Sequence, residues 1–133
     1  MKKLTKFFIV LVLLTATVNV YANRELDNFV RNVVREINRE ISLPVMVAEG
    51  ERLESIRSER GGKIVYLFTL TEIAVADVNV PVFTAAVRTN LIEALSGQPE
   101  LQEFRDMGVT MVYVYRDNRR RQITRIELAP GEY

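Results

Sequence analysis

The chain has 133 residues, a formal net charge of +1, and neither cysteine nor histidine. That composition excludes a Ser-His-Asp or Cys-His relay, a thiolate or imidazole zinc site, histidine-ligated haem and thiol redox chemistry. An enzyme built here would have to rely on carboxylates, Lys63, tyrosine, serine, threonine or arginine, and no cofactor is expected.

The first segment, "MKKLTKFFIVLVLLTATVNVYA", begins with Lys2, Lys3 and Lys6. An apolar run from Phe7 to Leu14 follows, then Val20-Tyr21-Ala22. That is the three-part plan of a secretory signal peptide cut after Ala22. The apolar run is shorter than the roughly 20 residues a spanning helix needs. A retained N-terminal anchor is the alternative. Residues 1–22 are expected to be removed on export to the periplasm or beyond. One domain, 23–133, would then remain, with no stable membrane span. Without the three leading lysines, 15 basic residues stand against 17 acidic ones, a net charge of about −2. A basic field for nucleic acid is therefore not expected. Disulfides would persist in an oxidising compartment, but this chain has none to form and must rely on its apolar core.

In residues 23–41, Leu26, Phe29, Val30, Val33, Ile37 and Ile41 recur at helical steps between charged residues. Asn23 is the expected N-cap, and Ser42-Leu43-Pro44 the stop. The charges are balanced, which favours core packing over a membrane-surface role for the stripe. Two extended stretches follow, Arg52 to Glu59 and Lys63 to Leu70, joined by Arg60-Gly61-Gly62 as a hairpin turn. The second stretch is apolar on both faces, which predicts a central strand. Residues 77–109 predict two helices. Pro81 suits the first turn, and Val82, Val87, Leu91 and Leu95 form the stripe of the first helix, with Gly97 as its stop. Pro99 restarts a short helix through Leu101, Phe104 and Met107 that ends at Gly108. A second hairpin spans 109–128 with Asp117-Asn118 at its turn, and the uneven spacing of Ile123, Ile126 and Leu128 predicts a bulge. The tail "APGEY" reads as frayed. The expectation is an α+β domain in the order α-β-β-α-α-β-β, with an antiparallel sheet of about four strands in two hairpins packed with three helices.

Arg116, Arg119, Arg120, Arg121 and Arg125 concentrate positive charge at the second hairpin. The guanidinium fork suits phosphate, sulfate or carboxylate, so these five are the candidate contact for an anion or a partner. A solvated hairpin end is the plainer reading. Strand alternation would place Arg119 and Arg121 on one side and Arg120 on the other. Glu49, Glu51, Glu54 and Glu59 match no Ca²⁺ loop, and no carboxylate pair stands out as a glycosidase site. Gly61-Gly62-Lys63 lacks the frame of a phosphate loop.

Residues Asn38, Leu43, Pro44, Val47, Arg52, Leu53, Ile56, Tyr66, Thr69, Leu70, Gly108, Tyr113, Tyr115 and Asp117 carry a pattern. It resembles that of small exported bacterial proteins labelled quorum-sensing-regulated virulence factors. The resemblance implies an exported α/β protein without a known reaction. Members of that group often carry a cysteine pair that this chain lacks. A weaker similarity is to the small periplasmic pilotins that assist secretion-channel assembly. Together these readings point to a non-catalytic binding or accessory protein of the bacterial envelope or secretome. Its partner would be another protein or an anionic envelope component. A carboxylate-based periplasmic hydrolase is the rival.

Overall fold

A computed structural model describes residues 22–133. The order is α1 (Ala22–Glu40), β1 (Val45–Ala48), β2 (Glu51–Glu59), β3 (Lys63–Leu70), α2 (Val80–Leu95), α3 (Gln102–Met107), β4 (Thr110–Arg116) and β5 (Gln122–Leu128). Short 3-10 turns cover Val75–Asp77, Pro99–Leu101 and Pro130–Glu132. The expected export leader lies outside the described residues, apart from Ala22, where α1 begins. Asn23 is therefore inside the helix and not its N-cap. Among the described residues no helix is long and apolar enough to cross a membrane.

The α+β class and the three helices among the described residues agree with expectation, but the sheet does not. It has five strands in the order β1-β2-β3-β4-β5, and it is mixed. Both expected hairpins form, β2 with β3 and β4 with β5, each antiparallel. The two hairpins join through a parallel β3–β4 pair, in register from Lys63↔Thr110 to Thr69↔Arg116. The physical reason is the connection. Parallel strands need a long crossover that carries a helix, and residues 71–109 supply one through α2 and α3. Both central strands are apolar on both faces, as a parallel pair requires. The missed strand, β1, has only four residues and pairs with β2 through Val45↔Leu53. Its neighbours Glu49 and Gly50 read as loop. The predicted bulge is present: Tyr115 pairs with Thr124 and Arg116 with Gln122, which leaves Ile123 unmatched.

The described helices pack on one face of the sheet. Phe29, Val30, Val33, Val34 and Ile37 of α1 and Phe104 of α3 join Ile56, Tyr66, Met111 and Ile126 in one core. Phe29 meets Phe104 edge-on, with centroids 5.9 Å apart. The other face holds a separate cluster, Val65, Leu67, Val112 and Val114, to which no described helix contributes. A chain of ion pairs crosses this face: Glu59–Arg125 at 2.6 Å, Arg125–Glu127 at 3.0 Å and Glu127–Lys63 at 2.9 Å. Glu59 lies on β2 and Arg125 on β5, so their link spans β3 and β4. In register it passes over Val65 and Val112, both fully buried. The methylenes of a long charged side chain cover apolar surface while its head stays wet.

The tail is ordered, against expectation. Tyr133 is 7% exposed, and its hydroxyl donates to the Val109 carbonyl at 2.6 Å. Arg105 donates from Nε to the Tyr133 main-chain oxygen at 2.7 Å and sits 5.5 Å over the Tyr133 ring.

Candidate functional site

Helix α2 stands partly away from the sheet. Asn79 caps it by accepting from the Val82 amide, and Pro81 occupies the first turn. The inward ridge is Phe83, Val87, Leu91 and Leu95, spaced by four, and only Leu95 is buried. Val82, expected in that stripe, is instead 64% exposed. The helix carries one basic and one acidic residue, Arg88 and Glu93, in 16 residues, so its outer face is largely uncharged too. A surface helix with an ordinary role has a polar outer face. Along β5 the helix is fastened: Thr84 Oγ1 donates to Thr124 Oγ1 at 2.9 Å, and Arg88 donates to the Glu127 carbonyl at 3.2 Å. Arg88 also pairs with Glu132. Towards β1 no hydrogen bond or ion pair among the described residues holds it.

The result is a cleft of about 460 Å³ between α2 and the sheet. Its floor is an aromatic ladder along the parallel pair. Tyr66 stacks on Tyr113 at 5.1 Å, Tyr113 lies 6.3 Å from Phe68, and Phe68 stacks on Tyr115 at 5.1 Å. Phe83 closes one end edge-on to Tyr115 at 5.8 Å. Val87, Leu91 and Ala94 form the helix wall, and Val47 and Glu51 the opposite rim. Both volume and apolar lining are those of a ligand pocket, roughly 300–1,000 Å³.

Three polar groups of the cleft lack partners among the described residues. The Tyr66 hydroxyl and Gln98 Oε1 are buried without a hydrogen bond. The Glu51 carboxylate has no ion pair among the described residues. Burial pushes the hydroxyls of Tyr66, Tyr113 and Tyr115 well above the ordinary tyrosine range, and the nearby Glu51 charge adds to this at Tyr115. Burial also holds Glu51 above the usual glutamate value of 4.5. An acid raised in the folded state favours folding fully below its unfolded value, and that contribution is lost as pH rises through the folded value. At neutral pH ionised Glu51 therefore opposes folding. Glu51→Gln is expected to raise Tm near pH 7 and to leave it little changed below about pH 4. Glu59 and Glu127 have the opposite sign. Arg125 lowers the first, and Lys63 then Arg125 lower the second. Their stability is present above 4.5 and is lost as pH falls through their folded values. Thermal melts from pH 3 to 7 on the parent chain and Glu51→Gln separate the two effects.

The five arginines do not act as one group. Arg116 is half-buried at the end of β4, and Arg125 is engaged by Glu59 and Glu127. Arg119, Arg120 and Arg121 are exposed in the turn, with Arg120 at φ 64°. Because they lie in the turn, strand alternation does not govern them. Asp117, only 1% exposed, shapes the turn. Its Oδ1 accepts from the Arg119 and Arg121 amides at 2.9 and 2.8 Å, and its Oδ2 accepts from the Val75 amide at 2.9 Å. These amides, Val75 foremost, hold its carboxyl below the usual aspartate range. Arg125→Ala is expected to cost about 1–2 kcal/mol, from two partly exposed ion pairs and the lost cover over Val65 and Val112. Arg119→Ala is expected to stay within about 0.5 kcal/mol of the parent. Urea unfolding of the two variants checks this contrast.

Among the described residues the cleft carries a single carboxylate, Glu51. Glu49 and Glu72, which a hydrolase reading would bring together in a pocket, are exposed outside it. Sequence reasoning did not find the cleft. A signal was available in α2, whose 16 residues carry only two charges, Arg88 and Glu93.

The chain belongs to the family Domain of unknown function (DUF8479), whose profile matches residues 27–124. Among curated proteins no sequence matches it. Solved structures share its fold. PA3611 of Pseudomonas aeruginosa, assigned as a secreted protein, superposes with a TM-score of 0.69 at 13% identity over 83% of this chain and 94% of that one. The type 2 secretion system pilotin EpsS of Vibrio vulnificus gives 0.60 at 14% identity, over 83% and 93%. The type II secretion system pilotin AspS of Vibrio cholerae gives 0.58 at 13% identity, over 84% and 94%. The pilotin resemblance read from the sequence thus has a counterpart in fold. None of these three names speaks for the resemblance to quorum-sensing-regulated virulence factors.

Proposed function

We propose that this chain is an exported, non-catalytic accessory protein of the bacterial envelope, which works by holding a segment of a partner protein in the cleft under α2. The cleft carries this reading: it is open, aromatic-floored, and bordered by a helix whose outer face is largely uncharged. Likeness in fold to two secretion-system pilotins supports a protein partner. The signal-peptide pattern of residues 1–22 supports export. A carboxylate hydrolase is disfavoured because such chemistry ordinarily needs two carboxyl groups facing one bond, and among the described residues Glu51 alone faces the cleft.

A photo-crosslinking residue at Asn90, on the cleft wall, tests this in living cells. The expected outcome is an adduct with one envelope protein, which disappears when Ala94→Phe fills the cleft. Loss of at least about tenfold in adduct yield is expected, since a phenyl ring there occupies the space an apolar side chain would need. Absence of any protein adduct, with the chain folded and exported, would refute the reading.

The exposed Arg119, Arg120 and Arg121 supply a second contact, for an anionic surface. Arg119 and Arg120 have no side-chain partner among the described residues, and Asp117 fixes the turn that presents them. Replacing all three by glutamine is then expected to flatten the salt dependence of envelope association, while the Asn90 adduct persists.

A further inference from the structure

The unpartnered polar groups of the cleft lie at its two ends. Glu51 pairs with Leu70 across the β2–β3 ladder and sits close enough to Tyr115 to perturb its hydroxyl. Tyr66 lies four residues earlier on β3, so roughly 13 Å separates the ends along the strand. Gln98 is beside the deep end, past the last turn of α2. Its amide nitrogen donates to the Ala94 carbonyl, which fixes Oε1 as the free atom. Tyr66 lines the cleft and is 3% exposed, and its hydroxyl is buried without a hydrogen bond.

These atoms share one chemical bias. Ionised Glu51 can only accept, and so can Gln98 Oε1. The Tyr66 hydroxyl can do either. Among the described residues no lysine or arginine lines the cleft, so the positive charge that complements Glu51 is left to whatever fills it. A ring floor adds to the same preference, because the face of a tyrosine attracts a cation. An anionic occupant would meet Glu51 with no compensating base.

We infer that the cleft selects a partner segment that is apolar with one basic side chain, its ammonium or guanidinium seated on Glu51 beside Tyr115 and its apolar side chains laid over the ladder towards Tyr66. This rests on the binding reading above and adds the chemistry of the segment. A lysine or arginine reaching Glu51 would supply the missing counter-charge.

Small probes test that chemistry without knowledge of the partner. The full chain is titrated with 4-phenylbutylamine and, separately, with 4-phenylbutyrate, and amide chemical shifts are followed. The amine is expected to bind at least about tenfold more tightly, as an ion pair in a partly buried site allows, with shifts at Glu51, Leu91 and Tyr115. In Glu51→Gln, a variant that keeps the cleft's shape, the two probes are expected to differ by less than about twofold. Equal binding, preference for the carboxylate, selectivity that survives Glu51→Gln, or no binding of either probe overturns the inference. The Asn90 crosslink separates this failure from that of the underlying reading. An adduct on a segment lacking any basic residue sinks the inference alone. Amine selectivity with no protein adduct sinks the reading of a protein partner and leaves the acceptor site standing.

Discussion

Gly62→Ala is expected to destabilise the fold by about 2–4 kcal/mol, against about 1–2 kcal/mol for the same change at the adjacent Gly61. Both residues have positive φ, 68° and 87°, in the turn between β2 and β3. Both alanines therefore meet the left-handed penalty that any β-carbon brings. They differ in what lies beyond. A β-carbon on Gly62 would fall 2.2 Å from Cδ2 and 2.3 Å from Cγ of Leu26, whereas on Gly61 its nearest neighbour is Lys63 Cε at 3.7 Å. The turn is docked on α1 at this point, since the Gly62 amide donates to Asp27 Oδ1 at 2.7 Å. Backing away from Leu26 would therefore also strain that hydrogen bond. Urea unfolding of the two single variants measures the difference. A third variant, Gly62→Ala with Leu26→Ala, identifies its source. If the Leu26 overlap is responsible, the double change costs less than the sum of the two single ones. Equal costs at Gly61 and Gly62 would show that α1 does not hold the turn as described.

This contact also marks where sequence reading stops. Gly61-Gly62 announces a turn, and Leu26 announces a helix face, because each is a local signal. That the two touch depends on 35 intervening residues and on where the helix lands. The same division holds elsewhere. The stripe of α1, both hairpins and the bulge at Ile123 come from spacing within a few residues, and all were legible. The parallel join of β3 and β4 depends on a crossover of about 40 residues, and strand composition alone does not decide its direction. In α2 the pattern was ambiguous because only two charges, Arg88 and Glu93, mark the helix. The sequence pattern runs the stripe through Val82, while the inward ridge starts at Phe83. The arginine cluster divides for the same reason. Arg125 looks equivalent to Arg121 in the sequence, yet its carboxylate Glu59 lies 66 residues away. The cleft is a gap between elements, and no residue spacing encodes a gap directly.

Tyr133→Ala is expected to cost about 3–5 kcal/mol, the range for removing a buried aromatic side chain, and to lower Tm by on the order of 10–20 °C. The sequence suggested the reverse, a tail free to fray. Three interactions converge on this residue. The ring is buried, the hydroxyl donates to Val109, and Arg105 grips both the ring face and the main-chain oxygen. Arg105 also donates to the carbonyls of Leu95 and Gln98, at 2.9 and 3.1 Å. One side chain thus ties the tail to the end of α2, next to the deep end of the cleft. Tyr133→Phe keeps the ring and loses only the hydroxyl, which leaves the buried Val109 carbonyl unmatched on that side. Its cost should be about 1–2 kcal/mol. Arg105→Ala should fall between the two, and should loosen the Leu95–Gln98 segment even where Tyr133 stays in place. Hydrogen exchange of the amides of residues 95–101 reads that second effect separately from global unfolding. If Tyr133→Ala melts within a degree or two of the parent, the tail adds nothing to the fold. The wall of the cleft at Gln98 would then have to be held by α3 alone.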